Sequence, residues 1–177
     1  MTTEILLAGF GGQGILFAGK ILAYAGLMDN KELSWLPSYG PEMRGGTCNC
    51  SVCISDDAIG SPLVLSPDIL VAMNQPSYDK FVSAVKPGGK VFVDSTLVDS
   101  KCDRTDIECY YVPSSQLADS DPNLRGGSNI ILLGKIIKET GIFSLDTMKK
   151  AIEKVVPPAK AKLIENNFKA LQTGMDA

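Results

Sequence analysis

The residues with chemical potential in this chain begin with a glycine-rich turn, Gly9-Phe10-Gly11-Gly12-Gln13-Gly14. Gly9, Gly11 and Gly14 have G-x-G-x-x-G spacing, preceded by the apolar run Glu4–Ala8 and followed by an apolar helix-like segment. In that strand–turn–helix setting, glycine lets the chain turn without a Cβ clash and lets a phosphate or a second backbone approach. The helix that follows would aim its unpaired N–H groups and positive dipole end at the same place. Gly9, Gly11, Gly12, Gln13 and Gly14 are therefore the candidate cofactor-binding residues. The same glycines could instead serve only close packing of strand on helix. A dinucleotide site would also need an acidic residue ~20 positions on, ending a second strand, to hold a ribose. Asp29 and Glu32 come before any plausible second strand, so that requirement is not met.

A second stretch, Ser38-Tyr39-Gly40-Pro41-Glu42-Met43-Arg44-Gly45-Gly46, is dense in Gly and Pro and reads as a structured loop. Arg44 suits a carboxylate or phosphate because its guanidinium bonds two oxygens at once. In an extended loop Glu42 and Arg44 would face the same way, either pairing with each other or spanning a subunit boundary. Tyr39, Glu42, Arg44, Gly45 and Gly46 are the candidate residues for facing a partner or substrate.

The chain has five cysteines and no histidine. That composition removes Ser-His-Asp and Cys-His catalysis and any His-ligated metal from this chain. Cys48, Cys50 and Cys53 form C-x-C-x-x-C on a predicted strand, with Cys48 and Cys50 on one face and Cys53 on the other. Iron–sulfur sites more often use C-x-x-C-x-x-C on a loop, and a zinc site would need Cys102 or Cys109 as a fourth ligand. Small buried hydrophobes are the expected role, and no metal ligand or catalytic residue is assigned.

Positioning these residues requires alternating elements. Strands are predicted at 4–8, 47–54, 69–73, 91–94 and 107–112, with helices at 13–28, 77–85, 129–140, from Ser144 to before Pro157, and 159–171. Residues 33–46 are expected to be irregular, 113–128 a polar connection, and Gly174 to lie just beyond the last helix. The small residues Ala18, Gly19, Ala23, Ala25 and Gly26 predict close packing of the first helix on a sheet or another chain. The alternation argues for an α/β fold, a three-layer α/β/α sandwich with a mainly parallel, Rossmann-like sheet. At 177 residues, 45% of them hydrophobic, one domain over 1–177 is expected. The net charge of −3, without clustered Lys and Arg, argues against nucleic acid. No apolar run reaches the ~18 residues of a membrane span, and the N-terminus lacks a signal-type segment, so a cytoplasmic protein is expected.

Gly9-Phe10-Gly11-Gly12-Gln13-Gly14 combined with Tyr39-Gly40-Pro41-Glu42-Met43-Arg44-Gly45-Gly46 resembles the gamma subunit of 2-oxoacid:ferredoxin oxidoreductases. The ending, with Asn167 ahead of Ala170 and Gly174, is similar too, so the resemblance spans essentially the whole chain, and the length matches a gamma subunit standing alone. The 2-oxoglutarate and branched-chain 2-oxoacid enzymes are the nearest in kind. The resemblance implies oxidative decarboxylation of a 2-oxoacid, acyl transfer to coenzyme A and reduction of ferredoxin through iron–sulfur clusters. Thiamine diphosphate with magnesium (Mg2+) would be held mainly by the alpha and beta subunits, and a delta subunit would complete the assembly. This chain alone would bind no cofactor and be inactive, its two loops facing the assembly. A free-standing nucleotide-binding oxidoreductase of Rossmann type is the alternative, and a scaffold whose loops serve only assembly is a third reading.

Overall fold

A computed structural model of the protein describes residues 1–40 and 46–177. Its centre is a sheet of six strands in the order β2-β3-β1-β4-β5-β6. The strands are β1 (Thr2–Phe10), β2 (Glu32–Tyr39), β3 (Thr47–Ser55), β4 (Ile69–Ala72), β5 (Lys90–Asp94) and β6 (Glu108–Val112). β1, β4, β5 and β6 pair in parallel, as expected. The exception in this mainly parallel sheet is β3, which inserts beside β1 and runs antiparallel to both β1 and β2.

The helices are α1 (Ile15–Met28), α2 (Gln75–Phe81), α3 (Ser114–Ser120), α4 (Ser128–Thr140), α5 (Leu145–Val155) and α6 (Ala161–Asp176). Strand residues alternate between two cores, as a period of two requires. Ile5, Leu7, Cys50, Val52, Val71 and Phe92 join α1, α4, α5 and α6 on one face. Leu6, Cys53, Leu70, Val91 and Val93 face the other way, against Tyr78 of α2 and Val64 and Val98 from connecting segments. The three layers are therefore unequal, with a heavy helical layer and a thin one. Among the described residues, no helix is long and apolar enough to cross a membrane.

Three expectations are corrected. Residues 33–39, expected to be irregular, belong to edge strand β2. Pro37 lies in its register opposite Cys50, and an edge strand tolerates a residue that cannot donate to the ladder. The polar connection at 113–128 contains α3, fastened from outside itself: buried Asp94, at the end of β5, accepts from the Ser115 N–H and hydroxyl. Gly174 lies inside α6 rather than beyond it, because α4 and α6 cross closely. A Cβ at Gly174 would collide with the Ile131 carbonyl, and one at Gly134 with the Leu171 carbonyl.

The small residues of α1 do serve the sheet. Gly19 faces Cys50 and Trp35, and Gly26 faces Ile54 and Leu33. Ser144 caps α5 as expected, its hydroxyl accepting from Thr147 N–H at 3.0 Å.

Candidate functional site

β1 ends at Phe10 and α1 begins at Ile15, so the glycine turn sits where the central strand leaves the sheet. Gly14 is the residue before the helix, with φ +73°, a left-handed conformation that costs an L side chain ~1–2 kcal/mol. Gly12 has φ +102°, and among the described residues nothing lies within 4 Å of where its Cβ would be. The first turn of α1 has neither a side-chain cap nor an acidic residue.

Gln13 holds the turn together. Its Oε1 accepts from Phe10 N–H at 2.6 Å, and its Nε2 donates to the Met73 carbonyl at 2.9 Å. Asn74 Nδ2 adds a long contact to the same Oε1 at 3.4 Å, while Asn74 Oδ1 caps α2 through Ser77 N–H at 2.9 Å. α1 leaves β1 on one face of the sheet and α2 leaves β4 on the other. Adjacent strands whose helices depart to opposite faces make a topological switch point, where open α/β sheets ordinarily hold a ligand. Here the side chain of Gln13 bridges that crevice. A cavity of about 80 Å3 remains beside it, walled by Gly9, Phe10, Cys48, Asn74 and Ser77.

From α4, Asn129 Nδ2 donates to the Gly14 carbonyl at 3.0 Å, and a Cβ on Gly14 would strike that amide. The positions of Met73, Asn74 and Asn129 escape sequence reasoning, because nothing in their local spacing ties them to a turn as far as 115 residues away.

The last residue of the second stretch, Gly46, is brought to the same place. Gly11 N–H donates to the Gly46 carbonyl at 2.9 Å, and Gly40 N–H donates to the Thr47 carbonyl at 2.7 Å. Tyr39 ends β2 and is 45% exposed. Glu42, Arg44 and Gly45 lie outside the described residues. Beside the turn, exposed Leu36, Leu63 and Leu65 line a groove of about 410 Å3 on the thin side of the sheet.

The cysteines occupy the predicted faces. Cys48 and Cys50 enter the core under α1, and Cys53 enters the opposite one. Burial pushes the Cys50 thiol up to about 12, the reverse of what a metal-binding thiolate needs. These residues do not fit an iron–sulfur cluster, and no other cluster of metal-ligating side chains occurs among the described residues. A dinucleotide site fits no better. The strand after α1 lies at the sheet edge, separated from β1 by antiparallel β3, so the β1–α1–β2 unit lacks the adjacent parallel strand. Asp29 instead accepts from Thr147 Oγ1 at 3.1 Å. A further cavity, about 340 Å3, lies at the opposite end of the sheet, where Lys86 is paired with Glu4 and Asp68.

A family model described as pyruvate ferredoxin/flavodoxin oxidoreductase matches residues 4–177. The 2-oxoglutarate synthase subunit KorC of Methanocaldococcus jannaschii is 43% identical over 99% of this chain and 94% of its own length. The ketoisovalerate oxidoreductase subunit VorA of Methanothermobacter marburgensis is 40% identical over 98% of this chain, which spans only 36% of that longer protein. Among solved structures, the gamma subunit of a keto/oxoacid ferredoxin oxidoreductase from Geobacter sulfurreducens superposes with a TM-score of 0.86. It is 33% identical and covers 99% of this chain and 95% of its own.

Proposed function

The chain belongs to the pyruvate ferredoxin/flavodoxin oxidoreductase family, as a gamma-type subunit of a 2-oxoacid:ferredoxin oxidoreductase, and from that premise we propose that it is an assembly subunit whose glycine turn meets a partner chain. The carrying observation is Gln13 across the switch-point crevice. The place where such a sheet ordinarily takes a ligand is filled by the chain itself. Gly9 is packed by Gln13 and Ile15, Gly11 is bonded to Gly46 and Gly14 is covered by Asn129, which leaves Gly12 facing outward. An outward glycine beside exposed Phe10, Leu36, Tyr39, Leu63 and Leu65 suits apposition of another polypeptide. VorA, which is more than twice this length, supports a polypeptide neighbour from the same enzyme.

In this reading the domain over 1–177 brings the Tyr39–Gly46 stretch, including Glu42, Arg44 and Gly45, to the boundary with the alpha, beta and delta subunits. The assembled enzyme oxidatively decarboxylates a 2-oxoacid, of the 2-oxoglutarate or branched-chain kind, to an acyl-coenzyme A and reduces ferredoxin. Thiamine diphosphate, magnesium and the iron–sulfur clusters belong to the partners. The buried β3 thiols and the absence of histidine support that division. A second reading is favoured by one feature: the uncapped, acid-free start of α1 suits a phosphate at Gly12.

The test is purification from the native source through a tag on this chain, followed by iron, acid-labile sulfide and thiamine analysis. The expected result is that iron, sulfide and thiamine accompany the partner chains and are absent from the chain purified alone. Stoichiometric iron and sulfide in the single chain would overturn the assignment.

A further inference from the structure

Cys102 and Cys109 lie together, apart from the thiols of β3. Cys109 is on β6, opposite Val91, and Tyr111, opposite Val93, shares its face, the thin side of the sheet. The segment leading into β6 runs back over that face. Its Cys102 N–H donates to the Tyr111 hydroxyl at 2.7 Å, which fixes the Cys102 backbone above the strand. There the two thiols meet. The Cys102 side chain is in hydrogen-bonding contact with the Cys109 thiol, and Tyr78 of α2 contacts Cys102 from beside. Cys53 is the other thiol on this side of the sheet, but β1, β4 and β5 separate its strand from β6.

Both thiols are half-buried, so a small oxidant can reach them, whereas the β3 thiols are buried. Lys101 sets its ammonium 3.9 Å from the centre of the Tyr111 ring, a cation beside the cluster. Arg104 donates to the Val82 and Val85 carbonyls, each at 2.9 Å, and pairs with Asp106. These bonds pin the segment between the two cysteines. A partly exposed thiol with a cation at hand is of the reactive kind. Burial, and then Cys102, push the Cys109 thiol up to about 12. Cys109 therefore keeps its proton at neutral pH, which leaves Cys102 as the attacking thiol.

We propose that Cys102 and Cys109 are a peroxide-sensitive dithiol that closes to a disulfide, with Cys102 reacting first and Cys109 resolving it. The Cys102 thiolate attacks one oxygen of hydrogen peroxide. The O–O bond breaks, hydroxide leaves, and Cys102 becomes a sulfenic acid. The Cys109 sulfur then attacks the Cys102 sulfur. The S–S bond forms, the S–O bond breaks, and the Cys109 proton leaves with the hydroxyl as water. Two thiols and one hydrogen peroxide give one disulfide and two waters, the sulfurs losing the two electrons that the peroxide gains. A disulfide needs its sulfurs ~2.0 Å apart, which thiols already in contact reach by adjusting their rotamers. The bond would fasten the connecting segment to β6, the outer strand of the sheet.

The experiment treats the full-length chain, reduced and then freed of reductant, with a small excess of hydrogen peroxide at neutral pH. Remaining thiols are blocked with iodoacetamide in denaturant, and the chain is digested with trypsin without reduction. Trypsin cuts after Lys101, Arg104 and Arg125, so the disulfide joins peptide 102–104 to peptide 105–125. Mass spectrometry should find this linked pair as the main oxidised product, lost on treatment with dithiothreitol, with Cys48, Cys50 and Cys53 still alkylated. In Cys109→Ser, Cys102 should persist as a sulfenic acid that dimedone traps. In Cys102→Ser, oxidation of Cys109 should fall by at least about tenfold relative to that of Cys102 in Cys109→Ser. Should either variant fail to fold, the peptide map of the unaltered chain decides. Peroxide that leaves both cysteines alkylated, oxidises them only singly, or links either one to a β3 cysteine or to a second chain would overturn the proposal. Trapping of Cys109 rather than Cys102 as the sulfenic acid would overturn the order of attack.

Discussion

The N–H of Gly11 donates to the carbonyl of Gly46 at 2.9 Å and thereby ties the turn after β1 to the end of the stretch that follows β2. Gly11 and Gly46 are far apart in sequence and adjacent in space. One side of the glycine turn is locked by Gln13 and Asn129, and at Gly12 no described residue comes within 4 Å of a Cβ position.

Gln13→Ala should destabilise the chain by about 1–3 kcal/mol, because Phe10 N–H and the Met73 carbonyl each lose their side-chain partner. Gln13→Glu should cost at least as much. Its second carboxylate oxygen would face the Met73 carbonyl in place of a donor. Urea unfolding of the isolated chain, monitored by circular dichroism, measures both.

Gly14→Ala should cost at least about 1–2 kcal/mol from its left-handed backbone alone, with a further penalty from the Asn129 amide above it. Adding Asn129→Ala should recover the steric part and leave the backbone part. A double-mutant cycle in urea unfolding separates the two.

The legible features were those written in local pattern. The apolar run into the glycine turn marks β1, Ser144 marks the start of α5, and the period of two in Cys48–Cys50–Val52 predicts which thiols share a face. What was hidden depends on distant partners. β2 has a proline and a mostly exposed surface, and it becomes a strand because β3 supplies its ladder. α3 is short and polar, and Asp94 fastens it from another strand. Gly174 looks like a helix stop, yet it is the point where α4 and α6 touch. At the candidate site, the motif glycines were legible, whereas Gln13 as the filler of the crevice was not. Its partner carbonyl belongs to Met73, 60 residues away.

The β3 thiols should resist alkylation in the native chain at neutral pH and react on unfolding. Cys48, Cys50 and Cys53 are buried, whereas Cys102 and Cys109 are half-buried. Iodoacetamide labelling with and without denaturant, read by mass spectrometry, checks this.

Burial also raises the Cys50 thiol from an ordinary 9.0 to about 12. Between these values the unfolded chain loses the proton and the native chain keeps it, so the unfolded state binds fewer protons and stability falls as pH rises. Its contribution is fully present below pH 9 and is lost by about pH 12. Cys109, raised to about 12 by burial and then by Cys102, acts in the same direction. Cys50→Ala should therefore flatten the alkaline decline. Urea midpoints measured across that pH range provide the test.

The central claim is that Gly12 faces a partner chain, and Gly12→Val tests it most directly. The isolated chain is melted, and the tagged chain is used to capture its partners and to assay 2-oxoacid-dependent ferredoxin reduction. At φ +102° a branched residue is strained, so some loss of melting temperature is expected, but with no described residue within 4 Å of its Cβ position the fold should stay intact. The account predicts a folded variant that captures its partners poorly and supports little turnover. A variant with a large loss of melting temperature whose captured complex is complete and fully active would contradict it, leaving Gly12 as a residue of the turn alone.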